Sequence, residues 1–284
     1  PMAGRGSRFQ KAGIETPKPL LNVSGKPMFV QATNSLPQAG RHIFVCLRES
    51  LDQKTEHTIR TNFRDASIVV LDEVTQGQAQ TCALGLAMPQ PPVDLDSPIM
   101  IGACDNGMMV DRIALRDLLE NPKVDAIAFT FRKHSSSARN PHMYGWIAVQ
   151  PGTDKATRVS VKKPISDFPI NDHAIVGAFY FRNAGMFLAA FDRMVQNNIR
   201  VNGEYYVDSL FGELIEMGMD CRVFEVDSYI CWGTPDDWKT FRYWQAFFHK
   251  CSWHPYRIER DPTADPDDAE LRDLVEYRLT QASR

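Results

Sequence analysis

The residues with the most chemical content stand first. Gly4-Arg5-Gly6-Ser7-Arg8 is followed by Pro17-Lys18-Pro19-Leu20 and by Val23-Ser24-Gly25-Lys26-Pro27-Met28. Two glycines one residue apart let backbone N–H groups turn toward an anion, and the two arginines with Lys18 supply positive charge beside them. That is the composition of a phosphate cradle. The spacing is not that of the two commonest cradles. A dinucleotide fingerprint wants a third glycine where Phe9 stands, and a P-loop wants Gly-Lys-Ser/Thr after a four-residue gap. On these residues alone, a phosphate site and a basic surface turn both stay open. A second centre is Asp105, after the apolar run 99–101. A carboxylate there suits Mg²⁺, which is held by one or two carboxylates plus substrate phosphates. Asp-Asn-Gly is also a good turn sequence.

Taken whole, the opening string resembles the signature of sugar-phosphate nucleotidylyltransferases, a G-x-G-x-R loop followed by P-K-x-L and V-x-G-K-P-M. Later landmarks follow in that family's order. Gln76-Gly77-Gln78-Ala79-Gln80 resembles the segment that meets the nucleobase. Gly102-Ala103-Cys104-Asp105-Asn106 resembles the strand end bearing a metal-binding Asp. Tyr144-Gly145 and Lys162-Lys163-Pro164 resemble the Y-G and E-K-P elements of the sugar-phosphate pocket, and Val176-Gly177, Gly203-Glu204 and Gly233-Thr234-Pro235 complete the series. The resemblance runs from Pro1 to about Trp238.

It implies an α/β, Rossmann-like three-layer nucleotidyltransferase fold with a mixed, mostly parallel sheet. It also implies a reaction in which a sugar 1-phosphate, or another phosphomonoester, attacks the α-phosphorus of a nucleoside triphosphate and releases pyrophosphate. Such an enzyme makes nucleotide sugars, for surface polysaccharide or a related pathway, with Mg²⁺ bridging the phosphates. Carried onto this sequence, the nucleotide-binding positions are Ala3, Gly4, Gly6, Ser7, Gly77 and Gln80. Arg8, Lys18 and Asp105 are the catalytic positions, with Asp105 the metal ligand. The acceptor-binding positions are Tyr144, Gly145, Lys163, Gly177 and Glu204. Arg5 is either a phosphate contact or a solvated arginine. Gly77, Gly145 and Gly177 are expected to permit close backbone approach to ligands.

Two residues depart from the pattern. Cys231 occupies the position of the second metal carboxylate in W-x-D-x-G-T-P, and a thiol is a poor partner for a hard cation. Either one carboxylate with phosphates and waters suffices, or Asp227 or Asp236 compensates, or metal-dependent activity is weakened. Lys162 replaces the usual Glu of E-K-P, which points to a more anionic or differently shaped acceptor. Two other readings stay open: a cytidylyltransferase acting on a non-sugar phosphomonoester, and a non-catalytic regulatory homologue that binds nucleotide sugars.

Composition sets the frame. The chain has 284 residues, 43% hydrophobic and 24% charged, enough for one large α/β domain or two smaller ones. Lys plus Arg is 32 against 35 for Asp plus Glu, a net charge of −3, so nothing global favours a nucleic-acid or membrane partner. The first residues show neither a basic n-region nor an apolar h-region, and no apolar run of about 18 residues occurs, so neither a secretory signal nor a membrane span is expected. The six cysteines are scattered without a C-x-x-C pair and read as reduced thiols, which points to the cytosol. The glycine-rich loop follows Pro1 with no strand before it, and the N-terminus is therefore expected to be truncated.

The elements that must position these residues follow from periodicity. Strands are expected at 43–47, 67–71, 99–101 and 126–131, with helices at 51–63, 81–88 and 111–120. Strands at 144–149, 158–161, 175–181 and 222–226 belong to a second, more antiparallel half. Helices are expected at 184–196 and 208–217 and from Pro235 through 248. The expected division is a catalytic domain at 1–248 and a helical tail at 249–284, with Leu271, Leu274, Val275 and Leu279 on one stripe. His249, Cys251 and His254 lack a fourth partner at zinc spacing. The aromatics between Trp238 and Phe248 read as helix packing or a homo-oligomer contact, and 261–268 and 135–137 read as polar loops.

Overall fold

The computed structural model describes residues 1–4 and 6–274. Arg5, Val275 and Leu279 therefore lie outside the described residues. In chain order the elements are α1 (Ser7–Lys11), β1 (Asn22–Val23), β2 (Lys26–Pro27), α2 (Met28–Asn34), β3 (Ile43–Leu47), α3 (Gln53–Asn62), β4 (Ser67–Leu71), α4 (Gln78–Ala87), β5 (Ile99–Gly102), β6 (Asn106–Met109), α5 (Arg112–Glu120), β7 (Ala126–Phe131), α6 (Ser135–Arg139), β8 (Gly145–Val149), β9 (Ala156–Val161), β10 (His173–Phe181), α7 (Ala184–Gln196), α8 (Val207–Glu216), β11 (Cys221–Glu225), β12 (Ser228–Cys231) and α9 (Pro235–Lys250). Side chains fix several helix starts by accepting otherwise orphaned N–H groups. Asp52 caps α3, Asp111 caps α5, Asn183 caps α7 and Thr234 caps α9. No helix among the described residues is long and apolar enough to cross a membrane, and the six cysteines are free thiols.

The chain forms two compact units. The first comprises residues 1–4, 38–103 and 108–229, and the second residues 5–37, 104–107 and 230–284. The first has the expected α/β, Rossmann-like character with a mixed sheet. Its main sheet runs β11-β7-β10-β8-β9, with β5 also on β10. β11 pairs parallel with β7, and β3 pairs parallel with β4. β10 is antiparallel to β5, β7 and β8, and β8–β9 is an antiparallel hairpin. Antiparallel ladders are thus more numerous than the β/α alternation of the first half suggests, because β10 runs back against three neighbours. α4, α7 and α8 cover this sheet. Phe179 and Phe181 of β10 pack with Phe187, Ala190 and Met194 of α7 and with Leu210, Phe211 and Leu214 of α8. Each of the phenylalanine, leucine and methionine side chains contributes roughly 1.5–3 kcal/mol on burial.

The second unit has its own small core of Phe9, Leu21, Val23, Met28, Ala32, Trp232 and Trp238. The Trp238 indole N–H donates to Asn22 O at 2.8 Å. Residues 261–268 are not the solvated acidic loop that composition suggests. They form a strap over the β1–β2 turn: Asp265 N–H donates to Ser24 O, Asn22 Nδ2 to Asp268 Oδ1, and Gln31 Nε2 to Thr263 O. Ile258, Ala264 and Leu271 supply a small apolar cluster beneath. The imidazoles of His249 and His254 accept backbone N–H groups of Ile258 and Tyr256, which supports packing over metal binding. Residues 135–139, in the first unit, are also not a loop but the helical turn α6, whose Ser136 and Ser137 are buried.

Gly25 is the point where the strap and the hairpin meet. Its φ is +82°, and a Cβ there would lie 2.6 Å from Asp265 O. Gly25→Ala combines strain with a backbone collision, and we expect a loss of about 2 kcal/mol or more in denaturant unfolding, with faster protease cleavage within 261–268. An unchanged midpoint and cleavage rate would contradict the strap.

Candidate active site

The second unit holds the charged centre. Pro17 and Pro19 flank Lys18 at the start of a single 3₁₀ turn, closed by Leu20 N–H to Pro17 O at 2.8 Å. The loop rests against this turn because position 6 is glycine. Gly6 has φ +61° and caps α1, and a Cβ there would lie 3.3 Å from Lys18 Cβ. The Lys18 ammonium donates to Asp105 Oδ2, and the two side chains are 15% and 24% exposed. Burial opposes the Lys18 charge, but Asp105 and Cys104 outweigh that penalty and hold its pKa above the ordinary lysine value. Burial likewise penalises the Asp105 carboxylate, yet Lys18 and Arg8 hold it below the ordinary carboxylate range. The cluster therefore keeps a fixed positive charge beside a fixed negative one. Ser7 and Arg8 are exposed on α1.

Asp105 is held by its own backbone, whose carbonyl accepts from Trp232 N–H at 3.0 Å. A Cβ on Gly233 would lie 3.1 Å from Asp105 Oδ2 and 3.7 Å from Cys231 Sγ, so the thiol stands beside the carboxylate, where the sequence pattern expects a second one. The carboxylate hydrogen-bonded to this thiol is that of Asp237. Asp237 Oδ2 accepts from Cys231 Sγ at 3.4 Å and from Thr234 Oγ1 at 2.6 Å. Its carboxylate is drawn into the first turn of α9. The donor set around Asp105 is one ammonium-paired carboxylate and a thiol, so Asp105 would be the single carboxylate offered to a Mg²⁺ that takes its other oxygens from substrate phosphates and water. Among the described residues no group of three or more His, Cys, Asp or Glu side chains is arranged to hold a metal.

The first unit holds the remaining positions. Ala3 is buried with Val45, Leu47, Val69 and Leu71, after Met2 N–H donates to Val45 O at 2.7 Å, and it delivers an exposed Gly4. Gly77 has φ +132°, and a Cβ there would lie 2.5 Å from Tyr205 N and O. Tyr205 N–H donates to Gln76 O, and Ala79 N–H to Tyr205 O. Gln80 Oε1 accepts from Gln76 N–H at 2.7 Å, which leaves its Nε2 as the group available to a ligand.

Tyr144 is buried, with its hydroxyl on Ser136 Oγ at 2.9 Å. Gly145 opens β8 directly beneath Asp208, whose Cγ would lie 2.9 Å from a Cβ at that position. Gly177 sits at the register shift of β10, with φ +95°, and its carbonyl accepts from Ala103 N–H. At Gly77 and Gly145 the space a side chain would need is filled by the chain itself. Lys163 is exposed, with its carbonyl accepting from Ser160 Oγ at 2.7 Å. Glu204 is exposed and joins Val201 in an isolated bridge. Lys162 donates its ammonium to Met143 O and lies 5.4 Å over the Tyr206 ring. Sequence reasoning missed Asp208 and Asp237. Both sit in the first turn of a helix, where an acidic residue ordinarily signals only helix stability.

The family model of the MobA-like NTP transferase domain matches residues 2–158. No curated protein matches the sequence. Among solved structures, the chain is similar to a nucleoside-diphosphate-sugar pyrophosphorylase from Vibrio cholerae RC9, at 23% identity and TM-score 0.68, over 84% of this chain and 96% of that one. It is also similar to the inositol-1-phosphate CTP transferase from T. maritima, at 14% identity and TM-score 0.64, over 84% and 91%. A UDP-glucose pyrophosphorylase complexed with UDP-glucose matches at 16% identity and TM-score 0.62, over 84% and 94%. At these identities the likeness shows the fold.

The thiol next to Asp105 makes a testable contrast. Cys231→Asp would gather a third carboxylate beside Asp105 and Asp237, so we expect a lower thermal midpoint in chelator. We also expect a gain of about 3 °C or more on adding Mg²⁺ that the natural chain does not show. Equal Mg²⁺ responses in the two proteins would contradict this geometry.

Proposed function

Because the chain belongs to the MobA-like NTP transferase family, we propose that its nucleotidyl transfer joins a nucleoside monophosphate to a sugar 1-phosphate, with release of pyrophosphate. An acceptor phosphate oxygen forms the new bond to the α-phosphorus, and the bond to the leaving pyrophosphate breaks on the opposite side. No carbon chemistry is needed. The protein's work is to position two anions and offset their charge.

The observation that carries this reading is the Lys18–Asp105 pair behind Gly6. A lysine whose pKa is held up stays cationic and can follow the α-phosphate as charge grows there, while Asp105 orients the ammonium until the triphosphate competes for it. The N–H groups of Gly4 and Gly6 and the guanidinium of Arg8 serve the triphosphate and the leaving pyrophosphate. Gln80, its oxygen already engaged, offers its amide N–H to an acceptor atom of the base. Tyr144, Gly145 and Lys163 serve the acceptor phosphate and its substituent. The structural neighbours support a phosphorylated sugar or polyol as that acceptor.

The deciding assay is pyrophosphate release with Mg²⁺, each of the four ribonucleoside triphosphates, and panels of sugar 1-phosphates and non-sugar phosphomonoesters. Release that needs one triphosphate and a sugar 1-phosphate is the expected result. Release only with non-sugar esters would overturn the sugar assignment. Nucleotide-sugar binding without any release would overturn catalysis in favour of a regulatory role.

A further inference from the structure

The acceptor segment carries a carboxylate that no motif marks. Asp208 stands in the first turn of α8, and Gly145 is the residue whose missing side chain makes room for it. A Cβ on Gly145 would collide with Asp208 Oδ2, so the carboxylate lies against the start of β8, next to Tyr144 and within the field of Lys162 at the end of β9. Lys162 holds a left-handed backbone, φ +59°, and its N–H donates to Tyr144 O at 3.0 Å. Its ammonium is turned onto Met143 O and the Tyr206 ring. Among the described residues no other side chain donates a hydrogen bond to the Asp208 oxygens. A partly buried carboxylate with unspent acceptor capacity therefore faces the same residues as the acceptor reading.

We propose that Asp208 selects the acceptor, its carboxylate taking hydrogen bonds from neighbouring hydroxyls of a sugar phosphate. The inference rests on the reading of 144–163 as the acceptor segment. The charge balance decides between donor types. Lys162 already stands near Asp208 as a counter-ion, so a second ammonium brought by an amino-alcohol phosphate would meet repulsion, whereas neutral hydroxyls would not. A carboxylate offers acceptors only, and two hydroxyls on adjacent carbons can each donate to one of its oxygens. Burial pushes the Asp208 carboxyl up to about 6 despite Lys162, so its acceptor strength changes near neutrality. Lys162 is the charged group acting on it. The other neighbours, Gly145 of β8 and Ile175 of β10 beside that glycine, carry no charge.

The test is binding calorimetry on the full chain, with glucose, galactose and mannose 1-phosphates compared with methyl phosphate, which has the phosphate and no hydroxyls. At pH 7.5 at least one hexose 1-phosphate should bind about tenfold tighter than methyl phosphate. Asp208→Asn should bring that ratio down about fivefold or more, with nucleoside triphosphate binding unchanged. In the natural chain the ratio should fall as pH drops through about 6, because the carboxylate gains a proton and loses acceptor strength, and in Asp208→Asn it should stay flat. Using a ratio cancels the titration common to both phosphates. A ratio near one in the natural chain, a ratio unchanged in Asp208→Asn, or preference for phosphoethanolamine would each overturn the proposal. If Asp208→Asn does not fold, the pH dependence of the natural chain decides by itself. A retained hexose preference without pyrophosphate release would count against the reaction and leave Asp208's role standing.

Discussion

One ammonium and one carboxylate, brought together across 87 residues of chain, set the demand that the second unit meets. Neither charge is tolerable in a partly buried place without the other. The surroundings therefore exist to keep them in register: prolines on both sides of Lys18, a left-handed glycine at position 6, and a backbone hydrogen bond to Asp105 from Trp232. Linkage gives the pair a defined working range. The lowered Asp105 pKa contributes stability that is present above the usual carboxylate range and lost as pH falls through the lowered value. The raised Lys18 pKa contributes stability that is present below the usual lysine range and lost as pH rises through the raised value. Between those limits both partners stay ionised, which is the state an anionic substrate meets.

The same economy of space recurs in the first unit. At Gly77 and Gly145 the vacant side-chain volume is occupied by Tyr205 backbone and by Asp208, and at Gly177 the backbone bends where β10 changes partners. Glycine at these points lets parts of one unit approach one another. The ligand-facing consequence is indirect: Asp208 can lie beside Tyr144 because position 145 has no Cβ.

Much of this was legible in the sequence. The elements with strong periodicity or a clear cap, such as 111–120 with Asp111 and 184–196 with its apolar stripe, form where the pattern places them. Lys18 and Asp105 were marked by the family resemblance of the strings that carry them, and the structure joins the two in one ion pair. The strap at 261–268 was not, because its hold on the hairpin comes from backbone groups and short polar side chains whose partners lie far away in sequence. α6 was missed because three serines favour a loop by composition, while burial and the His134 cap decide otherwise. Asp208 and Asp237 were missed for a related reason. Their partners, Gly145 and Cys231, are set by folding and not by spacing. Cys231 was legible as a departure, but its consequence, a carboxylate withdrawn to α9, required the structure.

The central claim is that Lys18, held charged and aimed by Asp105, acts on the transition state of nucleotidyl transfer. Steady-state kinetics of Lys18→Met and Asp105→Asn, with triphosphate affinity and circular dichroism recorded on the same samples, test it most directly. The account predicts turnover reduced about a hundredfold or more in each variant, with the fold intact and triphosphate affinity within about threefold. Turnover near that of the natural chain in both variants would contradict it.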